Sequence, residues 1–330
     1  MTTGVEASVF PVVASVVDPD HVCAEIEQGY DIGEVRACRL IECGVNDTYV
    51  LSTSQARYAV RIYRTGGSPR SAIEFELNLL SHLRAKDVPV SAPVHTRDGS
   101  VLRRMMAPEG PRLLVLFTYA HGRSIPWDQT CADRAGRLLA DIHQAAVDFK
   151  SPHTRTPYDL EHLIEKPLVA LAPFLSHRRE DWTFLQQFAA RLWSYAAPLI
   201  SAGLEWGTCH GDFDAHNVHI SEHGCLTVSD FDFCGPGWLA FDLVVPKWGF
   251  ISVRTPELWE AFLRGYLERH ALHENNLAAI PLFQALRHLW GMGLRARSVG
   301  RHGTQSLSEG YLSYRIRSFK AWEAEYIGRT

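Results

Sequence analysis

The sequence lacks the features that mark exported, metal-stapled or nucleic-acid-binding proteins. Its seven cysteines, Cys23, Cys38, Cys43, Cys131, Cys209, Cys225 and Cys234, are odd in number and scattered, and none forms a CxxC pair. That pattern argues against a disulfide framework and a zinc ribbon, and predicts free thiols in a reducing cytoplasm. Basic residues are not in excess either, with 33 Lys and Arg against 37 Asp and Glu and a formal net charge of −4. No broad positive face is therefore expected for a nucleic-acid backbone or an anionic membrane. The apolar start from Val9 to Val17 contains Pro11, runs into Asp18 and has no basic flank. It predicts neither an export signal nor a membrane span. Internal repeats and low-complexity tracts are also missing.

What is present is an ordinary globular composition, 46% hydrophobic and 21% charged, in a chain of 330 residues, long enough for two cores. Residues 39–43, 48–51 and 58–63 read as three strands of an antiparallel meander, separated by Gly44-Val45-Asn46-Asp47 and Ser52-Thr53-Ser54-Gln55. A helix follows Ser68-Pro69, with Ile73, Leu77, Leu80 and Leu83 on one face. A hairpin ending in Leu113-Leu114-Val115-Leu116-Phe117 closes the β-rich part. Beyond Gly122 the periodicity is helical, near 133–143, 183–200, 256–268, 277–297 and 307–326, interrupted by short apolar strands over 208–233. The expected class is α+β with two lobes: residues 1–118 an antiparallel sheet with one helix, residues 119–330 larger and mainly helical. Trp248, Phe250, Trp290 and Trp322 are expected to pack in the core.

The chemistry concentrates in Thr208-Cys209-His210-Gly211-Asp212-Phe213-Asp214-Ala215-His216-Asn217-Val218-His219-Ile220 and in Val228-Ser229-Asp230-Phe231-Asp232. Phosphoryl transfer needs a carboxylate to orient the incoming hydroxyl and hard oxygens to hold magnesium on the phosphates. Asp212, Asn217 and Asp230 supply that set. Protein kinases space a His-Arg-Asp, four residues, an Asn and a separate Asp-Phe-Gly. Here His210-Gly211-Asp212, four residues, Asn217 and Asp230-Phe231-Asp232 stand in the same order. Gly after the His and an acid after the Phe resemble the aminoglycoside phosphotransferase and choline kinase superfamily, which includes homoserine, hydroxylysine and methylthioribose kinases and a bacterial stress response kinase.

The resemblance spans roughly residues 40 to 300. It implies a two-lobed protein-kinase-like fold and an ATP- and Mg2+-dependent kinase acting on a hydroxyl. Gly44-Val45-Asn46-Asp47-Thr48-Tyr49 resembles the family's phosphate-side loop, which implies that Asn46 and Thr48 meet the phosphates. Arg61, on a strand similar to the family's third, occupies the phosphate-binding cation's position. Glu76 resembles the acid that pairs with that cation, with Glu74 as the other candidate. The nucleotide is expected between the lobes, its adenine on the connector beginning at Phe117 and Tyr119. Asp212 then accepts the hydroxyl proton, Asn217 and Asp230 hold metal, and Asp232 either meets a second magnesium or caps a turn. Asp242 is expected to tether the amides of the catalytic loop, and His210 to brace it.

Other readings exist. His210, Asp212, Asp214 and His216 alternate, and on one continuous strand would form a metallohydrolase-like cluster; that reading ignores Asn217 and Asp230 and puts Gly211 mid-strand. Val88-Pro89-Val90-Ser91-Ala92-Pro93 is similar to a segment of the stress kinase, which would imply a protein Ser/Thr acceptor. A non-catalytic pseudokinase is disfavoured because all three reaction-centre residues are kept. By analogy with the small-molecule kinases, the acceptor is expected to be an amino alcohol, amino acid or amino sugar. Arg287, Arg295, Arg297 and Arg301 face no acid between residues 287 and 301. That favours an acceptor with at most one amine, and a carboxylate for the arginines, over a polycation. A homodimer is left open.

Overall fold

The computed structural model describes residues 11–252 and 255–328, with Val9 and Phe10 of the apolar start and the side chains of Trp248 and Phe250 outside the described residues. The chain divides into two compact units, one of residues 1–81 and 91–120, the other of 82–90 and 121–330.

In the first unit, strands β1 (Val35–Cys43), β2 (Asp47–Thr53), β3 (Arg57–Tyr63), β4 (Arg103–Ala107) and β5 (Gly110–Thr118) form an antiparallel sheet in the order β1-β2-β3-β5-β4. The alternation of β2 places Tyr49 and Leu51 in a core with Val60, Ile62, Leu114 and Leu116. Two helices accompany the sheet, not the single one expected: α1 (Pro19–Gly29) precedes α2 (Arg70–Ala85). The cause of α1 is local. Asp18 accepts from the Asp20 amide, Pro19 suits the first turn, and Val22 and Ile26, four residues apart, enter the sheet's core. Beneath the β1–β2 turn, Asp47 is fully buried and paired with Arg64 (2.7 Å) and Arg112 (2.5 Å). Arg112 also donates to the Ser15, Tyr63 and Ile62 carbonyls, so every charge in this knot is bonded.

The second unit contains β6 (Arg123–Ser124), α3 (Gln129–Ala145), a π-helical turn at Glu161–Glu165, α4 (Lys166–Leu175) and α5 (Arg179–Ser201). There follow β7 (Trp206–Cys209), β8 (Val218–Ile220), β9 (Leu226–Val228) and β10 (Gly235–Trp238), then α6 (Leu239–Ser252), α7 (Pro256–Arg269), α8 (Glu274–Ala278), α9 (Ile280–His302) and α10 (Glu309–Tyr326). The strands make two small sheets, β10-β7 and β6-β8-β9. Helices α3 and α7 cross with their backbones nearly touching, because a Cβ on Gly136 would lie 2.0 Å from the Phe262 carbonyl oxygen, and one on Gly265 2.0 Å from that of Asp133. Trp290 is buried at 3% exposure, and Trp322 is half-buried with its indole donating to the Pro281 carbonyl. No described helix is long and apolar enough to cross a membrane.

Candidate active site

The strand β7 ends at Cys209, and the chain turns at Gly211, whose φ is +82°. A side chain is excluded there: a Cβ would meet the Phe233 carbonyl oxygen at 2.0 Å. This break also undoes the alternation of His210, Asp212, Asp214 and His216. Asp214 caps the short 3-10 turn Ala215–Asn217, His216 is exposed, and no group of three or more His, Cys, Asp or Glu side chains among the described residues could hold a metal. The metallohydrolase arrangement does not form.

Asp242, on α6 and fully buried, accepts from the amides of His210 (2.5 Å) and Gly211 (2.7 Å) and contacts His143 Nε2 at 3.0 Å. His143 Nδ1 in turn meets the Tyr266 hydroxyl at 2.8 Å, a contact set by the close α3–α7 crossing. Burial alone would raise the Asp242 pKa, but the His143 hydrogen bond and charge outweigh it and hold the carboxyl below its usual range. His210 is buried against Phe231, with ring centroids 4.3 Å apart. Its Nδ1 accepts from the Asp212 amide (3.2 Å) and its Nε2 donates to the Ser229 carbonyl (3.2 Å), as a neutral ring does. Burial lowers its pKa accordingly. The ring thus links the Asp212 segment to the Asp230 segment.

Asp212 projects from this scaffold, half-exposed. Asn217 Nδ2 donates to its carbonyl at 2.9 Å and approaches Oδ2 at 3.4 Å. The Asn217 carbonyl accepts from the Ser229 amide at 2.9 Å, bringing residue 217 beside Asp230. Asp230 has a φ of +61°, a left-handed conformation that aspartate tolerates better than most residues and that clusters at functional sites. With its amide nitrogen engaged on Asp212, Asn217 keeps a carbonyl oxygen for a hard cation, and Asp230 adds an anionic one, a donor set suited to magnesium. Asp232 has its carbonyl oxygen held by Arg155.

One residue of this centre was not singled out for it in the sequence. Arg287, from α9, donates to Asp212 Oδ1 at 2.6 Å and to the Gly211 carbonyl, with its guanidinium 4.6 Å from the Trp290 ring centroid and 5.3 Å from that of Phe241. The only signal was its place in a stretch of arginines without acids.

In the first unit, Thr48 stands opposite Arg61 in the β2–β3 register. Arg61 Nη1 pairs with Glu76 at 3.1 Å and its guanidinium lies 5.5 Å from the Phe117 ring centroid, while Tyr63 also donates to Glu76. Glu74 instead pairs with Arg70. The Asn46 side-chain oxygen accepts from the Arg64 amide at 3.4 Å, which ties the β1–β2 turn to the end of β3. Tyr119 follows the end of β5, half-buried.

Residues 39–278 match the family model described as the phosphotransferase enzyme family. The chain belongs to the phosphotransferase enzyme family. This phosphotransferase is 33% identical over 324 residues to an uncharacterized protein of Deinococcus radiodurans, covering 96% of this chain and 93% of that one. To a homoserine kinase of Rhodospirillum rubrum it is 30% identical over 266 residues, 77% of this chain and 78% of the relative. Among solved structures, an amicoumacin kinase in complex with AMP-PNP and Ca2+ matches with a TM-score of 0.72 at 20% identity over 94% of each chain. That likeness gives the two-lobed kinase-like fold.

Proposed function

We propose that this phosphotransferase moves the γ-phosphoryl group of ATP onto a hydroxyl of a small molecule: an amino alcohol, amino acid or amino sugar. The observation that carries this reading is the state of Asp212. Arg287 occupies Oδ1 at 2.6 Å, whereas among the described residues Oδ2 has only the long Asn217 contact at 3.4 Å. Oδ2 therefore keeps the capacity to accept a proton from an incoming hydroxyl and to aim it in line with the leaving phosphate. Arg61, braced by Glu76 and opposite Thr48, grips phosphate oxygens through its planar fork. Asn217 and Asp230 offer oxygens to magnesium, with Asp232 as a further carboxylate; the bound ion would neutralise charge on the phosphates. The backbone around Phe117 and Tyr119 receives the adenine edge. All seven cysteines are free thiols, which suits a reducing cytoplasm.

The test is Asp212→Asn. Transfer should fall by about a hundred- to ten-thousand-fold, while nucleotide affinity stays within a few-fold of the parent. Turnover near that of the parent across the working pH range would refute the role.

A further inference from the structure

Asp230 holds a left-handed backbone conformation, φ +61°, which costs free energy and persists only where its surroundings fix it from several sides. On its N-terminal side the fixing group is His210, whose Nε2 donates to the Ser229 carbonyl at 3.2 Å. On its C-terminal side the chain is clasped by a distant segment. Arg155 donates to the Asp232 carbonyl and the Tyr158 hydroxyl to the Phe233 carbonyl, across separations of 77 and 75 residues. Neither donor stands in the motifs around Asp212 and Asp230.

Tyr158 is held firmly itself. Its amide donates to the Pro236 carbonyl at 2.7 Å, and Gly237 makes room for it, since a Cβ there would lie 2.8 Å from the Tyr158 Cβ. The next residue, Asp159, accepts from the His162 amide at 2.8 Å and so anchors the start of the π-helical turn. The Tyr158 ring is buried, stacks on Phe241 with centroids 4.5 Å apart and meets the Trp290 ring edge-on at 5.8 Å. Those are the two rings that flank Arg287. The hydroxyl also lies against the Asp212 loop, where a Cβ on Gly211 would come within 2.6 Å of it. Burial pushes the phenol pKa above the ordinary tyrosine value, so the group stays a donor at every working pH.

One side chain therefore serves both halves of the reaction centre with different atoms. The hydroxyl holds the backbone that follows Asp230, and the ring backs the aromatic surface under the Arg287–Asp212 pair. We propose that Tyr158 is a positioning residue for phosphoryl transfer, its hydroxyl setting Asp230 for magnesium and its ring setting Asp212 for the acceptor. The inference rests on the phosphotransfer reading and adds a residue to it.

The experiment separates the two roles with Tyr158→Phe and Tyr158→Leu in the full chain. Tyr158→Phe keeps the ring and deletes the donor. The magnesium concentration for half-saturation, in transfer and in calorimetry with a non-hydrolysable ATP analogue, should rise about tenfold or more, as it does when the support behind a metal ligand is lost. Nucleotide affinity without magnesium should match the parent, and amide exchange over residues 229–236 should quicken before any ligand is added. Tyr158→Leu should show the same magnesium shift and, at saturating magnesium, a further loss of about tenfold in kcat that Tyr158→Phe lacks. Arg155→Met removes the neighbouring clasp and should move the magnesium dependence in the same direction; if neither tyrosine variant folds, an unshifted Arg155→Met overturns the proposal. Parent-like magnesium dependence in Tyr158→Phe would overturn it even with a lowered melting temperature, since that is the signature of a purely structural role. Equal losses of nucleotide affinity with and without magnesium would overturn it too. A parent chain without magnesium-dependent nucleotide binding would instead overturn the phosphotransfer reading, and this role with it.

Discussion

The Arg287 guanidinium donates to Asp212 Oδ1 at 2.6 Å while resting against the Trp290 and Phe241 rings. A planar cation held on aromatic surface is fixed before substrate arrives, so the carboxylate it holds is fixed as well. Arg287→Met keeps aliphatic bulk between the rings and removes both donors. The expected result is a fall in kcat of about tenfold to a hundredfold, with the KM for nucleotide moving less than about threefold. Lysine should restore only part, having no fork. A variant whose loss lay entirely in nucleotide KM would contradict this positioning role.

On the proposed reading Asp230→Ala should differ in kind, because it would remove an anionic oxygen offered to magnesium rather than one on the acceptor side. Titration calorimetry with a non-hydrolysable ATP analogue should show weaker binding when magnesium is present. Equal affinity in variant and parent would sink the metal assignment.

Asp242→Ala would leave the His210 and Gly211 amides and the His143 ring without their shared acceptor, all of them buried. Losing one member of such a network costs about 3–5 kcal/mol, which urea unfolding would register as a lowered midpoint. Because the native pKa of Asp242 lies below the usual carboxylate range, its contribution is complete above about pH 4 and disappears as pH falls through the lowered native value.

Two histidines set a second pH dependence. Burial, reinforced by Lys166 and Arg297, brings His162 to about 4, and burial reinforced by Arg315 brings His288 to about 3. Arg315 also donates to His288 Nδ1 at 2.9 Å, a contact that needs the neutral ring. Unfolded histidines take up protons below about pH 6.5, so the unfolded state binds more protons in this window and stability declines as pH drops from there toward 4. Melting temperatures measured from pH 7.5 downward should fall over that interval, and His288→Gln should flatten the slope. An unchanged slope in that variant would remove His288 from the account.

The strands of the first unit were legible because alternation and turn residues coincide, and the long helices because their apolar stripes repeat. The helix α1 was passed over although Asp18, Pro19, Val22 and Ile26 spell it out, because its apolar stripe is only two residues long. At the site, the spacing of Asp212, Asn217 and Asp230 was readable since one short loop carries the first two. Arg287 was not, lying 75 residues from its carboxylate. The Arg112–Asp47 pair escaped for the same reason, at 65 residues' separation. Sequence spacing speaks for local chemistry, while partners delivered by tertiary packing leave only a compositional trace.

The Asp242 knot ties residues 31 positions apart at Gly211 and, through His143 and Tyr266, 123 positions apart. Contacts of such long separation form slowly, since the intervening chain must be ordered first. A growing chain that ends before α7 would hold the catalytic loop without the hydroxyl that orients His143. A fragment ending before α7 should therefore keep the loop of Gly211 and Asp212 without Tyr266 behind His143, and its phosphoryl transfer should be weaker than that of the whole enzyme.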